Sequence, residues 1–262
     1  MAQAGVGLGR LAAIEDLFEP TPEASWSAWH SLRLSRQQAP KYKIYLNPQA
    51  QGAAHAPARV AEALRRLGFA DYASRLTDGL LPNEELKFFS LDLDHDPRAR
   101  VKLYGVQRGA TRSSIAQALA AAPSFEPGAF DDFWRQIAGS DGPFSGWPVS
   151  TYLSLISGDQ KPSSATVHFP TRAYAKSDRV IYERVCGLLH GADLATYQRA
   201  IAAFAHRPLE AGSGMHAYVS LGQGAGQSRI CVYLACEAYT KTSATSGLHR
   251  IDLPHPTTEE QP

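Results

Sequence analysis

Residues 41–48, KYKIYLNP, have the alternation of a half-buried strand, but the polar side of that strand is unusual. Side chains alternate across a strand, so Ile44 and Leu46 lie on one face. Lys43 and Tyr45 share the other face, where a cation stands beside a phenol. A buried charge without a partner costs several kcal/mol, so this face is expected to meet either solvent or a ligand.

The same kind of strand recurs three times along the chain, in ARVKLYG (99–105), TVHFP (166–170) and RICVYLA (229–235). The equivalent positions are Tyr45, Tyr104, His168 and Tyr233, which are 59, 64 and 65 residues apart. Each interval contains stretches of helical periodicity, then an alternating strand, a turn and the polar-faced strand. The spacing therefore predicts a repeated helix–helix–strand–strand unit.

These units predict an α+β protein with about eight antiparallel strands in four hairpins. Helical periodicity is found at 8–18, 58–76, 114–122, 129–139, 178–191 and 194–206. The partner strands are expected within 28–40, at 87–93, at 150–158 and in the first half of the hairpin 216–235. No linker interrupts the pattern, so we predict a single domain, 1–262, with an ordered core at about 8–254 and repeats at about 8–48, 49–106, 107–171 and 172–240.

The amphipathic helices can cover the apolar faces of these strands, which leaves two positions for the polar faces. An open sheet with solvated cations is one interpretation. The other is a barrel with its helices outside, because consecutive hairpins that twist the same way tend to curl and remove their edges. The polar faces would then line the interior. Lys43, Arg100, Lys102 and Arg229 outnumber the nearby Asp92 and Asp94, so such an interior either stays hydrated or binds an anion.

The overall composition excludes several classes of partner. The 26 basic and 25 acidic residues give a net charge of +1, which argues against nucleic acid or a membrane surface as the partner. No apolar run is long enough for a transmembrane helix, and the N-terminus has no secretion-signal pattern. Three cysteines are too few for a disulfide framework or a zinc site. We therefore expect a cytoplasmic protein without a membrane anchor.

At these polar-faced strands the sequence resembles the dimethylallyltryptophan-synthase type of aromatic prenyltransferases, especially their bacterial members. The resemblance extends from about residue 26 to residue 240 and rests on four stretches in matching order: Lys43-Ile-Tyr45, Arg100-Val-Lys102-Leu-Tyr104, VHFPTRAYAKSD (167–178) and VYLACEAY (232–239). The four strands together carry it, since none of these short stretches is specific alone. The resemblance implies an antiparallel barrel surrounded by helices.

The resemblance also implies functions for individual residues. In that family, basic residues and tyrosines at these strand positions hold the diphosphate of an allylic donor, usually dimethylallyl diphosphate. The matching residues here are Lys43, Tyr45, Arg100, Lys102, Tyr104 and Tyr233. We add Arg229, which shares a face with Tyr233, and His168, which stands where the family usually has a tyrosine. The tyrosines expected to shield the allyl cation are Tyr45, Tyr104, Tyr218 and Tyr233.

Some of these assignments have alternatives, and the sequence departs from the family pattern. A rim salt bridge is the alternative for Arg229, and filling of the interior is the alternative for His168. Thr166 stands where a longer polar residue is common.

The family barrel also has a further N-terminal unit that carries the glutamate for the indole N–H and an arginine for the diphosphate. No counterpart precedes residue 26, and Glu15 and Glu19 lie in the wrong context, so we assign no catalytic base.

The resemblance implies an enzyme, an aromatic prenyltransferase of secondary metabolism such as alkaloid biosynthesis. It would alkylate an indole or tryptophan-type acceptor by electrophilic aromatic substitution. The alternative is an inactive barrel that binds an isoprenoid diphosphate or another anion. No cofactor and no magnesium ion are expected, because cationic side chains replace the metal; Asp92, Asp94 and Asp96 are interpreted as turn-capping carboxylates rather than ligands. The expected partners are the small-molecule donor and acceptor, and a homodimer is left open.

Overall fold

The structure, a computed structural model, describes residues 6–36, 38–77, 84–96 and 98–237. Eight strands form one antiparallel sheet in which each strand pairs with the next along the chain. They are β1 Ala28–Ser35, β2 Gln38–Leu46, β3 Glu84–Asp92, β4 Val101–Gln107, β5 Val149–Leu155, β6 Ser164–Phe169, β7 His216–Gly224 and β8 Gln227–Leu234. The predicted antiparallel α+β architecture with eight strands is confirmed.

Among the described residues, eight helices accompany the sheet: α1 Gly9–Ala12, α2 Ala56–Arg66, α3 Ala70–Thr77, α4 Arg112–Leu119, α5 Pro127–Ile137, α6 Thr171–Tyr174, α7 Asp178–Leu188 and α8 Gly191–Phe204. The helix expected at 8–18 consists of the short α1 followed by a 3-10 turn at Glu15–Phe18. The stretch 58–76, where the sequence shows helical periodicity, forms two helices, as the helix–helix–strand–strand unit predicts. Gly68 separates them, because its φ of +85° lies in the left-handed region that ends a helix.

The sheet curls into a half-barrel with the helices around its outer, convex face. The apolar residues of each strand point outward and are buried beneath the helices, as Phe89 and Leu91 of β3 and Val167 and Phe169 of β6 show. Helices α2 and α3 pack over the first strands, and the later helices pack over the last four. Within the described ranges, β1 and β8 are each paired on one side only, so these eight strands do not close on one another.

Two β-bulges change which face a side chain joins. In β3 the register shifts between Leu86 and Phe88, so Leu86 stays in the apolar core while Phe88 faces the concave side. In β7 the register shifts between His216 and Tyr218. A bulge inserts one extra residue and so reverses the alternation. His216 therefore turns toward the helices, and Tyr218 turns inward.

A buried polar network joins α7 and α8 to the start of β7. Both Asp178 and His216 are fully buried. One carboxylate oxygen of Asp178 lies 2.9 Å from His216 Nδ1, and the other accepts a hydrogen bond from Arg207 at 2.6 Å. The hydroxyl of Tyr197 lies 2.8 Å from His216 Nε2. Because every buried polar group here has a partner, the network fixes the helices on the outer face of the sheet.

The last hairpin forms as its glycines suggest. Ala225 and Gly226, with φ of 52° and 72°, form a two-residue turn between Gly224 and Gln227. Positive φ at both central residues matches the twist of a hairpin. The prediction of a single domain stays a prediction, and residues 238–254 of the expected core lie outside the described residues.

Candidate active site

The concave face of the sheet encloses a cavity of about 950 Å³ that is open to solvent at its edges. All eight strands contribute side chains to its wall, from Trp29 on β1 to Tyr233 on β8. All nine residues assigned from the sequence line this one space: Lys43, Tyr45, Arg100, Lys102, Tyr104, His168, Tyr218, Arg229 and Tyr233. Positions far apart in the chain therefore meet in one chamber, and the interpretation of an open sheet with scattered, solvated cations is wrong.

Four basic side chains form a cationic cluster at one end of the cavity: Lys43, Arg100, Lys102 and Arg229. Asp92, at the end of β3, partly neutralises it, with Lys43 Nζ at 3.2 Å from one carboxylate oxygen and Arg100 Nε at 2.7 Å from the other. Asp94 and Asp96 also line the cavity, but so do Arg33, Lys41 and Arg98, so the basic side chains outnumber the carboxylates. The cluster therefore keeps an excess of positive charge that an anionic ligand can neutralise.

The pKa values of Lys102 and Asp92 reflect this excess of positive charge. Burial lowers the pKa of Lys102 to about 8, and the charges of Lys43, Arg100 and Arg229 act in the same direction. The influence of Arg229 shows that β8 reaches across the cavity to the cluster. Burial alone would raise the pKa of the Asp92 carboxyl, but Lys43 and Arg100 outweigh it and lower that pKa below its ordinary value.

A continuous aromatic belt covers the rest of the wall, formed by Trp29, Tyr45, Phe88, Tyr104, Tyr152, His168, Tyr218 and Tyr233. Neighbouring rings are in contact: the centroids of Tyr104 and Tyr152 are 4.4 Å apart, and those of His168 and Tyr218 are 4.3 Å apart. Burial raises the pKa of Tyr104 and Tyr152 above the ordinary value, so their hydroxyls remain protonated donors. The belt can cover an apolar group and offer hydrogen bonds beside it.

His168 lies within the aromatic belt rather than beside the cationic cluster. Its ring contacts Tyr218 and Tyr233, with centroids 4.3 and 4.5 Å away. Burial lowers the pKa of His168 to about 4, which keeps the imidazole neutral at physiological pH. Its Nδ1 is buried and has no hydrogen-bond partner. A neutral, polar ring is thus placed where the family usually has a tyrosine.

Sequence reasoning missed part of the belt. Tyr152, Phe88 and Trp29 line the cavity but were not among the predicted site residues. The signal for Tyr152 was present, because it alternates with Ser150 and Ser154 on the polar face of β5. The sequence alone could not assign Phe88 to one face of β3, because the bulge next to it reverses the alternation of side chains.

The loop after β3 carries the acidic set Asp92, Asp94 and Asp96, which line the same end of the cavity. Asp94 accepts a hydrogen bond from the backbone N–H of Asp96 at 3.1 Å, and Asp96 accepts one from that of Arg98 at 2.7 Å. These carboxylates therefore cap the turn, whose Pro97 lies outside the described residues. In the part of the chain that the structure covers, no cluster of three or more His, Cys, Asp or Glu residues is arranged to hold a metal ion.

Arg229 faces the cavity from the edge strand β8, and within the described chain it forms no ion pair with a carboxylate. The rim salt bridge considered for it is therefore not seen there.

Each helix among the described residues is too short or too polar to cross a bilayer.

Comparison with solved structures gives strong matches over nearly the whole chain, although no family model matches the sequence. The 6-dimethylallyltryptophan synthase from Micromonospora olivasterospora, solved in complex with DMASPP and Trp, is 34% identical with a TM-score of 0.83, over 91% of this chain and 70% of that one. The 5-dimethylallyltryptophan synthase from Streptomyces coelicolor is 32% identical, with a TM-score of 0.81, over 92% of this chain and 70% of that one.

A third solved structure is that of the prenyltransferase PriB with L-tryptophan and dimethylallyl thiolodiphosphate. It is 32% identical to this chain, with a TM-score of 0.80, over 95% of this chain and 71% of that one. The likeness thus joins sequence identity above 30% to a shared half-barrel and covers more than two thirds of each relative. This chain belongs to the dimethylallyltryptophan-synthase type of aromatic prenyltransferases.

Proposed function

We propose that this protein transfers a dimethylallyl or longer prenyl group from an allylic diphosphate to an indole or tryptophan-type acceptor. The observation that carries the proposal is the meeting of a cationic cluster and an aromatic belt in one cavity. An allylic diphosphate has the matching form, with a polyanionic head and an apolar tail. Relatives with this fold bind both classes of molecule: the Micromonospora enzyme was solved with DMASPP and Trp.

The cationic cluster is suited to hold the diphosphate. Lys43, Arg100, Lys102 and Arg229 line the cavity together with Tyr45 and Tyr104, whose hydroxyls are further donors, and Lys43 Nζ lies 5.8 Å from the centroid of the Tyr45 ring. Positive charge and hydrogen-bond donors placed where negative charge develops lower the barrier to its departure. The same cations would neutralise the leaving diphosphate without magnesium, a function that metal ions perform elsewhere.

The aromatic belt is suited to protect the allyl cation formed when the diphosphate leaves. The faces of Tyr104, Tyr152, Tyr218 and Tyr233 surround the space next to the cluster. Each cation–π contact with an aromatic face contributes about 0.5–2 kcal/mol. By covering the cation, the belt would also keep water from trapping it as an alcohol.

The acceptor ring would then attack the cation, forming a carbon–carbon bond and a positively charged ring. Loss of the proton from the alkylated carbon returns its electron pair to the ring and restores aromaticity. The carboxylates that line the described cavity, Asp92, Asp94 and Asp96, all lie at its cationic end and away from the belt. The released diphosphate is therefore the proton acceptor that we propose.

Incubation of the protein with dimethylallyl diphosphate and a panel of indoles, followed by mass spectrometry, tests the proposal. We expect one product heavier than its acceptor by one prenyl group, formed equally well in the presence of EDTA. Lys43→Met combined with Lys102→Met is expected to abolish both product and donor binding. Calorimetric binding of the diphosphate without any product would instead favour the alternative of an inactive binding protein.

A further inference from the structure

Arg172 lies beside the aromatic belt of the cavity. It stands three residues after the last residue of β6, as the second residue of the short helix α6. Its guanidinium carbon lies 4.2 Å from the ring centroid of Trp147 and 5.9 Å from that of Tyr218, which lines the cavity. The guanidinium is close enough to the Tyr218 hydroxyl to oppose the rise that burial causes in the pKa of that phenol. Arg172 therefore borders the aromatic belt from outside.

The surroundings of Arg172 hold it in this position. The hydroxyl of Tyr174 donates a hydrogen bond of 2.6 Å to the carbonyl oxygen of Trp147, which fixes the ring beneath the guanidinium. The Ser213 hydroxyl donates to the carbonyl oxygen of Arg172 at 3.0 Å. Thr171, next to it, is buried and donates to the carbonyl oxygen of His216. A stacked, anchored guanidinium loses little conformational entropy when it binds an anion.

The charge of Arg172 is not neutralised within the described part of the chain. Arg112 and Arg207, by contrast, each contact a carboxylate, as do several other arginines. Arg172 forms no such ion pair with a described residue, although its side chain is only half-buried and lies next to Tyr218 of the cavity wall. A guanidinium that is fixed, partly exposed and unpaired is a receptor for a planar oxyanion, because its fork of donors matches a carboxylate.

Its position separates this receptor from the cationic cluster. Lys102 lies across from Ser154, and Ser154 from Ser164, the first residue of β6. Arg172 follows the last residue of β6, Phe169. At 3.3 Å per residue the two ends of this strand are about 17 Å apart. The oxyanion bound at Arg172 would therefore be a different group from the diphosphate, with the aromatic belt between the two.

We propose that Arg172 binds the carboxylate of an amino-acid acceptor and so directs the aromatic ring of that acceptor into the belt, toward the donor. This inference rests on the proposed function and specifies the acceptor as one that carries a carboxylate. The donor would be held at one end of the cavity and the acceptor at the other, which places their reacting carbons between the two anion sites. Arg172 acts here as a specificity-determining residue, without a part in the bond-forming step.

Tryptophan and tryptamine are the matched probes, because they differ only in the carboxylate. Both are compared as acceptors for the wild type, Arg172→Met, Arg172→Lys and the control Arg199→Met. Arg199 is exposed on α8, where its guanidinium donates a hydrogen bond to the hydroxyl of Thr196 on the same helix. We expect the ratio of kcat/KM for tryptophan to that for tryptamine to fall at least tenfold in Arg172→Met, through the KM for tryptophan. Arg172→Lys should recover part of the ratio, and Arg199→Met should leave it unchanged.

Calorimetry with dimethylallyl thiolodiphosphate present gives a second readout that does not require turnover. The wild type should bind tryptophan more tightly than tryptamine, and Arg172→Met should lose that preference while thermal unfolding shows an intact fold. Equal binding of the two acceptors by the wild type overturns the inference, whether or not any product forms. A rise in the KM for the donor as large as that for tryptophan would also overturn it, by assigning Arg172 to the diphosphate. Failure of the proposed function would appear separately, as absence of product from every acceptor.

Discussion

The charge on Lys102 illustrates the conflict between stability and ligand binding in this cavity. The side chain is largely buried among Lys43, Arg100 and Arg229, and burial together with their charges lowers its pKa to about 8. Below that pH the folded protein holds a cation in an unfavourable place. The repulsion among these cations lowers the stability of the empty protein. A bound diphosphate would remove it, so relief of the repulsion contributes to the free energy of binding.

Replacement of Lys102 by methionine should therefore stabilise the empty protein at neutral pH, by about 1–3 kcal/mol. The folded-state pKa of about 8 lies below the ordinary 10.5, so the penalty is fully present below pH 8. It fades between pH 8 and 10.5, where the folded protein loses the proton that the unfolded chain still binds. Thermal unfolding of wild type and Lys102→Met from pH 6 to 10 measures this difference. Lys102→Arg, which stays charged, should show no such pH dependence, and a constant gap for Lys102→Met would contradict the explanation.

His168 should produce an effect in the acid range. Burial lowers its pKa to about 4, from an ordinary 6.5, and its Nδ1 has no partner. Between these values the unfolded chain binds a proton that the folded protein does not, so stability falls as the pH drops from 6.5 to 4. His168→Phe should lack this loss, which we expect to reach about 2–3 kcal/mol. Denaturant unfolding at pH 7 and pH 4.5 measures it, with the exposed His55→Phe as control; parallel losses in His168→Phe and wild type would refute it.

At the scale of helices and strands, the local patterns were predictable and their interruptions were not. The alternation in KYKIYLNP and ARVKLYG placed Lys43 and Lys102 on one face correctly, because strand alternation depends only on neighbouring residues. The helical periodicity over 58–76 did not show where its two helices meet, because that boundary is set by the positive φ of a single residue, Gly68. The bulges beside Phe88 and Tyr218 escaped prediction because they depend on the partner strand.

The buried network at the start of β7 is an element-scale feature that the sequence did not reveal. Asp178 begins α7, and it accepts hydrogen bonds from the backbone N–H groups of Met215 and His216, at 3.2 and 2.8 Å. Although burial opposes it, these bonds and those from Arg207 and the His216 ring lower the pKa of the Asp178 carboxyl well below its ordinary value. One carboxylate thus joins a helix, a loop and a strand.

Asp178→Asn should destabilise the protein by about 3 kcal/mol or more, since breaking a buried ion pair leaves its partners uncompensated. The folded-state pKa of this carboxyl is lowered, so its contribution is present throughout the neutral range and declines only below about pH 4. Denaturant unfolding at pH 7 and at pH 3 measures both effects. The exposed Asp193→Asn, on α8, should cost less than about 0.5 kcal/mol. Equal effects from the two substitutions would show that the network does not stabilise the fold.

At the scale of the whole molecule, the cavity depends on contacts that no local pattern contains. The cationic cluster draws its members from β2, from the start of β4 and from the edge strand β8, and Lys43, Lys102 and Arg229 are separated by 59 and 127 residues in the chain. The residues that could form the cluster were predictable from the repeat, but their approach depends on how far the sheet curls. That curvature is the sum of the twists of eight strands, and two bulges modify it.

Because the cluster joins the two ends of the sheet, a bound diphosphate should tie β8 to β2 and β4. The strand β8 is paired on one side only within the described chain, and Arg229 on it faces Lys102 across the cavity closely enough to lower the pKa of that lysine. Hydrogen exchange should therefore slow in β8 when dimethylallyl thiolodiphosphate binds, by at least about tenfold at 100 times its Kd, since opening that requires release of the ligand becomes rarer by a factor of one plus the ratio of the free ligand concentration to Kd.

Arg229→Gln should keep part of the donor affinity but lose the slowing in β8, whereas Arg135→Gln, on the outer helix α5, should retain it. Mass spectrometry of peptides that cover β2, β4 and β8, with and without the ligand, separates these cases. Slower exchange confined to β2 and β4 in the wild type would mean that the ligand is held by one side of the half-barrel alone. In that case Arg229 does not bind the diphosphate, and the donor does not join the two ends of the sheet.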